Sequence, residues 1–169
     1  MSIDRYNADD SAEHRFLAQA VRLAADNAAT GQLPFGALVV RDGEVVATGV
    51  NTALRDHDPT AHAEVAAVRN ACRELGVLHL TGAVMLSSCE PCAICHAVAA
   101  SAGITRIVYA APKELVPDLG YPAPSDNGPL LTAMQQALRG LAPEQVIHLP
   151  VDAADEPFTR YLSTMEAHS

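Results

Sequence analysis

The sequence predicts an α/β fold: a three-layer α/β/α sandwich built on a five-stranded mixed sheet. Three observations carry this. Five short apolar segments read as strands. Amphipathic helical segments precede the first of them and separate the last three. The first two strands are joined by Asp42-Gly43, a strong signal for a tight antiparallel hairpin, whereas strands separated by helices pair in parallel. At 169 residues the chain is one domain's worth. We read residues 1–169 as a single domain, with a segment of different character from about residue 111.

The elements follow in order. Residues 10–30 read as an amphipathic helix, capped by Asp10 with Glu13 as reciprocal partner and ended by Gly31. Phe16, Leu17, Ala20, Val21 and Ala24 share one face. FGALVV (35–40) and VVATGVN (45–51) are the hairpin strands. A helix runs from about Ala61 to Leu75, with Val65, Val68, Cys72 and Leu75 on its buried face. AVMLSS (83–88) is a strand. PCAICHAVAASAG is a helix of small residues, with Pro91 in its first turn and Gly103 at its stop. RIVYA (106–110) is a strand. Residues 111–128 are rich in proline and lack periodicity, so they read as a long surface loop. PLLTAMQQALRG is a helix, EQVIHLP the last strand, and EPFTRYLSTMEA a terminal helix.

Composition excludes several classes. Hydrophobic residues are 49% and charged residues 18%, which rules out disorder as the main state. The net charge is -9 and Lys113 is the one lysine, which argues against gripping a nucleic-acid backbone. No apolar run approaches the roughly 18 residues of a membrane span, and no signal peptide is visible, so the expected compartment is the cytoplasm. The mean hydropathy is slightly positive, which suggests surface covered in an oligomer.

The chemistry concentrates in TAHAEV (60–65) and SCEPCAIC (88–95). In a reducing compartment a Cys-x-x-Cys pair is more often a metal or redox site than a disulfide. His62 offers a nitrogen ligand; Cys92 and Cys95 offer two thiolates. Three protein ligands leave the fourth tetrahedral position of a zinc ion for water, the catalytic arrangement. Both segments sit where a loop enters a helix, and there the helix dipole favours thiolate over thiol. His62 and Glu64 are two apart and diverge in mid-helix, but at a helix entrance both reach one site. Zinc lowers the pKa of bound water from about 15.7 to about 7, giving a hydroxide that attacks an amino-bearing ring carbon. Glu64, beside the metal but not bound to it, suits the proton shuttle. His-x-Glu alone is a weak signal and Cys-x-x-Cys a moderate one. The joint pattern matches the signature of zinc-dependent base deaminases. Cys89 is in reach by spacing, but it precedes Pro91 and reads as the strand's end; Cys72 reads as ordinary core. His57, His79, His96 and His148 lack a partner pattern.

These motifs, with PFGA (34–37), the GVN ending at Asn51, and DPTAHAEV (58–65), resemble the cytidine deaminase-like superfamily, and within it the bacterial guanine deaminases. The resemblance runs from about residue 11 to Ala110 and resumes at EPF (156–158). It implies one zinc per chain, a small-molecule nucleobase as substrate with water, and a homodimer. It implies Phe35 packing on the base face, Asn51 hydrogen-bonding the base edge, and the Ala63 N–H contacting a carbonyl. The plain alternatives are Phe35 as core and Asn51 as a turn residue. The C-terminal third departs from the pattern. The place of an acid found in some guanine deaminases falls on Ala123, and the chain ends in Ala167-His168-Ser169 without an aromatic. Asp118, Tyr121, Asp126, Glu156 and Phe158 are therefore candidates for pocket lining or a second proton shuttle, as is Tyr161 for lining.

The reading is hydrolytic deamination, with guanine to xanthine and ammonia first. Other amino-keto bases, cytosine or cytidine, and a tRNA adenosine are rival substrates. A zinc scaffold without catalysis is the rival of a different class, and it leaves Glu64 without a purpose.

Overall fold

The computed structural model describes residues 12–120, 128–141 and 144–168. Its elements are α1 (Ala12–Ala29), β1 (Gly36–Arg41), β2 (Glu44–Val50), α2 (Ala53–Asp56), α3 (Ala63–Leu75), β3 (Val84–Cys89), α4 (Ala93–Ser101), β4 (Arg106–Ala111), α5 (Gly128–Leu141), β5 (Val146–His148) and α6 (Glu156–Ala167). The sheet order is β2-β1-β3-β4-β5. β1 pairs antiparallel with both β2 and β3, and β4 pairs parallel with β3 and β5. This is the expected five-stranded mixed sheet. Asp42 and Gly43 both take positive φ, 54° and 78°, as a two-residue hairpin requires.

Side chains alternate across the sheet and so divide the core. Ala37, Val39 and Met85 pack with α3 and α4; Leu38, Val40 and Leu86 pack with α1 and α6. Helices therefore cover both faces. Gly49 sets how closely α3 approaches: a Cβ there would collide with the Ala63 carbonyl and the Ala67 N–H. That approach brings the N-terminus of α3 to the carboxyl end of β3, beside the N-terminus of α4. No helix among the described residues is long and apolar enough to cross a membrane.

Several local expectations change. The two oxygens of Glu13 take Arg106 Nε and Nη2, each at 3.0 Å. Asp10 lies outside the described residues. Leu75, the last residue of α3, is 39% exposed, and Ala67 and Ala71 are the buried positions beside Val65 and Val68. Cys72 is half-buried, its Sγ 3.8 Å from the Leu78 carbonyl. Cys92, not a residue before Pro91, is the N-cap of α4, so Pro91 stands outside the first turn. The segment after β4 is not all loop: Lys113–Leu115 form a 3₁₀ turn.

Candidate active site

The site forms where α3 and α4 begin. His62 is the N-cap of α3 in an extended conformation (φ -77°, ψ 154°), and Ala63 and Glu64 open the helix proper. The change of backbone direction at the cap turns the His62 and Glu64 side chains to one place. Cys92 caps α4 and Cys95 lies one turn on. Cys92 Sγ lies 3.4 Å from His62 Nδ1 and 3.6 Å from Cys95 Sγ; Cys95 Sγ lies 3.6 Å from His62 Nδ1.

These three distances test the fit of zinc. Tetrahedral zinc, with Zn–S of about 2.3 Å and Zn–N of about 2.0 Å, sets S···S near about 3.8 Å and S···N near about 3.5 Å. The donors match in kind and spacing, and among the described residues they form the one such group. Cys89 is not part of it. That thiol is buried and pushed up to about 12 by burial and by the neighbouring Glu64 charge.

The electrostatics are graded within the triad. The hydrogen bond from Cys95 draws the Cys92 thiol well below its ordinary range, and His62 adds to it against the cost of burial. Cys95 is pushed up by the bond it gives to Cys92, by burial, and by Glu64. The bond with Cys92 raises the His62 imidazole. A divalent cation among the three replaces these protons.

Glu64 is buried and lies beside the triad without joining it. Ser87 Oγ donates to its Oε1 at 2.7 Å, and its Oε2 lies 3.2 Å from Cys95 Sγ. Ser87 carries no motif of its own. Its signal was parity: it lies two residues past Met85 on β3, so it shares the face that α3 and α4 cover.

A cavity of about 330 Å³ opens onto these groups, and Phe35, Asn51, His62, Glu64, Cys92 and Cys95 all line it. Phe35 is half-buried and meets Phe158 edge-on, with ring centroids 6.1 Å apart. Asn51 both lines the cavity and turns the chain: its Oδ1 accepts the Ala53 N–H at 3.0 Å. Ala63 opens α3, where the first N–H groups have no intrahelical acceptor.

The C-terminal candidates are not gathered there. Phe158 is buried behind Phe35 rather than lining the cavity. Tyr161 is buried with Leu33 and Leu119. Asp118 is exposed and accepts the Gly120 N–H at 2.9 Å; Glu156 is exposed at the start of α6. Tyr121, Asp126 and Ala123 lie outside the described residues. The cavity's remaining wall instead uses residues the sequence did not single out, among them Glu90, Lys113, Val116 and Gln135.

Of the other histidines, His57 and His79 are exposed. His96 is half-buried, with burial lowering its imidazole. His148 Nε2 lies 3.0 Å from the Ala110 carbonyl, and its ring stacks on Tyr109.

Known proteins match this arrangement. The family model of the cytidine and deoxycytidylate deaminase zinc-binding region matches residues 10–111. A guanine deaminase of Bacillus subtilis is 42% identical over 108 residues, which is 63% of this chain and 69% of that protein. A tRNA-specific adenosine deaminase of Aquifex aeolicus is 34% identical over 96 residues, 57% of this chain and 64% of that protein. The solved guanine deaminase of Bacillus subtilis superposes with a TM-score of 0.57 at 32% identity, covering 76% of this chain and 94% of that one.

Proposed function

The chain belongs to the family of the cytidine and deoxycytidylate deaminase zinc-binding region and is a zinc-dependent hydrolytic deaminase; from that premise we propose that its substrate is a free nucleobase, guanine first, converted to xanthine and ammonia. The observation that carries the proposal is that one small cavity holds the zinc triad, the separate carboxylate of Glu64, an aromatic face and an amide edge.

Zinc held by His62, Cys92 and Cys95 supplies a water activated near neutral pH. The chain does the rest. Water adds to the ring carbon that bears the amine. Glu64 takes the proton of that water and delivers it to the adjacent ring nitrogen. It then carries a second proton to the amine as the C–N bond breaks, so ammonia leaves and a carbonyl remains. Its Oε1, held by Ser87, fixes the carboxylate and leaves Oε2 beside the reacting carbon. Phe35 holds the flat ring by its face, Asn51 contacts the edge, and the Ala63 N–H meets a carbonyl of the substrate.

Similarity alone supports a tRNA adenosine as the second reading, since a tRNA-specific relative matches over 96 residues. The charge favours the free base. The chain carries -9 with one lysine, and an RNA ligand needs phosphate neutralisation. We also propose a homodimer, which scattering-coupled gel filtration measures.

Ammonia release from guanine, adenine, cytosine, cytidine, isocytosine and a tRNA stem-loop tests the reading. Release from guanine supports it. Release from the stem-loop alone, falling steeply with salt, replaces it with the second reading.

A further inference from the structure

Helix α5 lies beyond the segment that the family model matches, residues 10–111, yet it walls the site cavity. What holds it there is polar. Arg139 Nε donates to Glu90 Oε1 and Arg139 Nη2 to Glu90 Oε2, both at 2.6 Å. The same Nη2 reaches Glu114 Oε1 at 2.8 Å. Gln135 Nε2 donates to Glu90 Oε1 at 2.9 Å and to the Pro91 carbonyl at 3.1 Å, and the Lys113 N–H donates to Glu90 Oε2 at 3.2 Å. The Glu90 side chain is only 2% exposed, so it is a buried charge that needs these partners. They fix α5 on the turn that carries Pro91 and Cys92.

The same contacts fix the orientation of the Gln135 amide. Both groups facing Nε2 are acceptors. A flipped amide would set Oε1 against a carboxylate and a carbonyl. The oxygen is therefore the part of Gln135 left to bind, and it takes no donor among the described residues. Nor is it sealed in, because no buried side-chain nitrogen or oxygen there lacks a partner. Asn51 is set the opposite way: its Oδ1 is engaged by the Ala53 N–H, which leaves Nδ2 as a donor. The cavity thus presents a donor from the segment after β2 and an acceptor from α5.

We propose that Gln135 is a specificity-determining residue whose Oε1 accepts a hydrogen bond from a ring N–H of the substrate, with Arg139 and Glu90 as its positioning residues. The site then selects an unsubstituted heterocycle, with one acceptor edge and one ring N–H, over its N-substituted derivatives. This rests on the free-base reading above. A site built around such a bond rejects analogues that lack the donor, because its own buried polar group is left unpaired.

The test compares the wild type, Gln135→Met and Arg139→Met, all zinc-loaded, on guanine and its 1-, 7- and 9-methyl derivatives. Gln135→Met keeps the length and removes the acceptor; Arg139→Met loosens the clamp and keeps the acceptor. We expect the wild type to disfavour one methyl derivative by about tenfold or more, the scale of one hydrogen bond. In Gln135→Met that preference collapses, through a rise in KM for guanine, while the disfavoured derivative keeps its kcat/KM. Arg139→Met, which keeps the acceptor but loosens its placement, narrows the same preference by a smaller factor. Equal losses on all four in Gln135→Met, or no change in any, overturn the proposal. If the wild type releases ammonia from none of them, guanine as the substrate fails first and this proposal with it. Wild-type turnover thus separates the two failures.

Discussion

Ser87 Oγ donates a 2.7 Å hydrogen bond to Glu64 Oε1, tying the central strand β3 to the first turn of α3. The bond places one carboxylate oxygen and leaves the other toward the zinc triad. A hydrogen bond to a charged group is worth about 1.5–3 kcal/mol. Ser87→Ala is therefore expected to lower kcat by about tenfold or more, with KM little changed. Zinc content, measured by metal analysis, stays at one per chain. Loss of zinc in that variant would show that Ser87 serves the ligands rather than the shuttle.

The triad brings two thiols and an imidazole within 3.6 Å of one another, an arrangement that a cation stabilises and protons only partly satisfy. Zinc that binds only the folded chain adds about 4 kcal/mol when free metal exceeds its Kd about 1,000-fold. For a chain of this length that is a rise in Tm of about 8–16 °C. Chelation is expected to lower the melting temperature by that amount, and His62→Ala and Cys92→Ala to show the lowered value without chelator. A calorimetric scan checks both.

Gly49 is where β2 admits α3. A methyl group there meets helix backbone, which moves only by shifting the helix as a unit. Gly49→Ala is expected to cost about 1–3 kcal/mol in denaturant unfolding. It also weakens zinc retention, because His62 rides on α3. Unchanged stability with full zinc would mean that the sheet absorbs the methyl group.

Leu75 and Leu38 separate pattern from packing. Leu75 completes the helical periodicity of α3 yet is 39% exposed, whereas Leu38 is fully buried in β1. Leu75→Gln is expected to change stability by no more than about 0.5 kcal/mol, and Leu38→Ala to cost about 2–5 kcal/mol. Equilibrium unfolding in urea measures both.

What the sequence made legible was local. The Asp42-Gly43 hairpin needs only two neighbouring residues with positive φ. The His62, Cys92 and Cys95 ligand set announces itself because a metal fixes both residue type and spacing. Glu64 follows from its place beside them. Leu75 misled because periodicity marks a face but not where its covering layer ends. Glu90 and Gln135 were not legible, since each acts through a partner distant in sequence, and for Ser87 parity marked the face but not its bond to Glu64. Gln135 and Glu90 are 45 residues apart and meet only when α5 folds back over the site. Phe158 shows the converse. The aromatic near the chain's end does reach the site region, but as support behind Phe35 rather than as its wall.

The most direct test of the account is ammonia release from guanine by zinc-loaded wild type and Glu64→Gln, at matched zinc content. The account predicts clear release by the wild type. It predicts a fall of about 100-fold or more in Glu64→Gln, the scale of a lost proton shuttle, with the metal still bound. Undiminished release by zinc-loaded Glu64→Gln would contradict it.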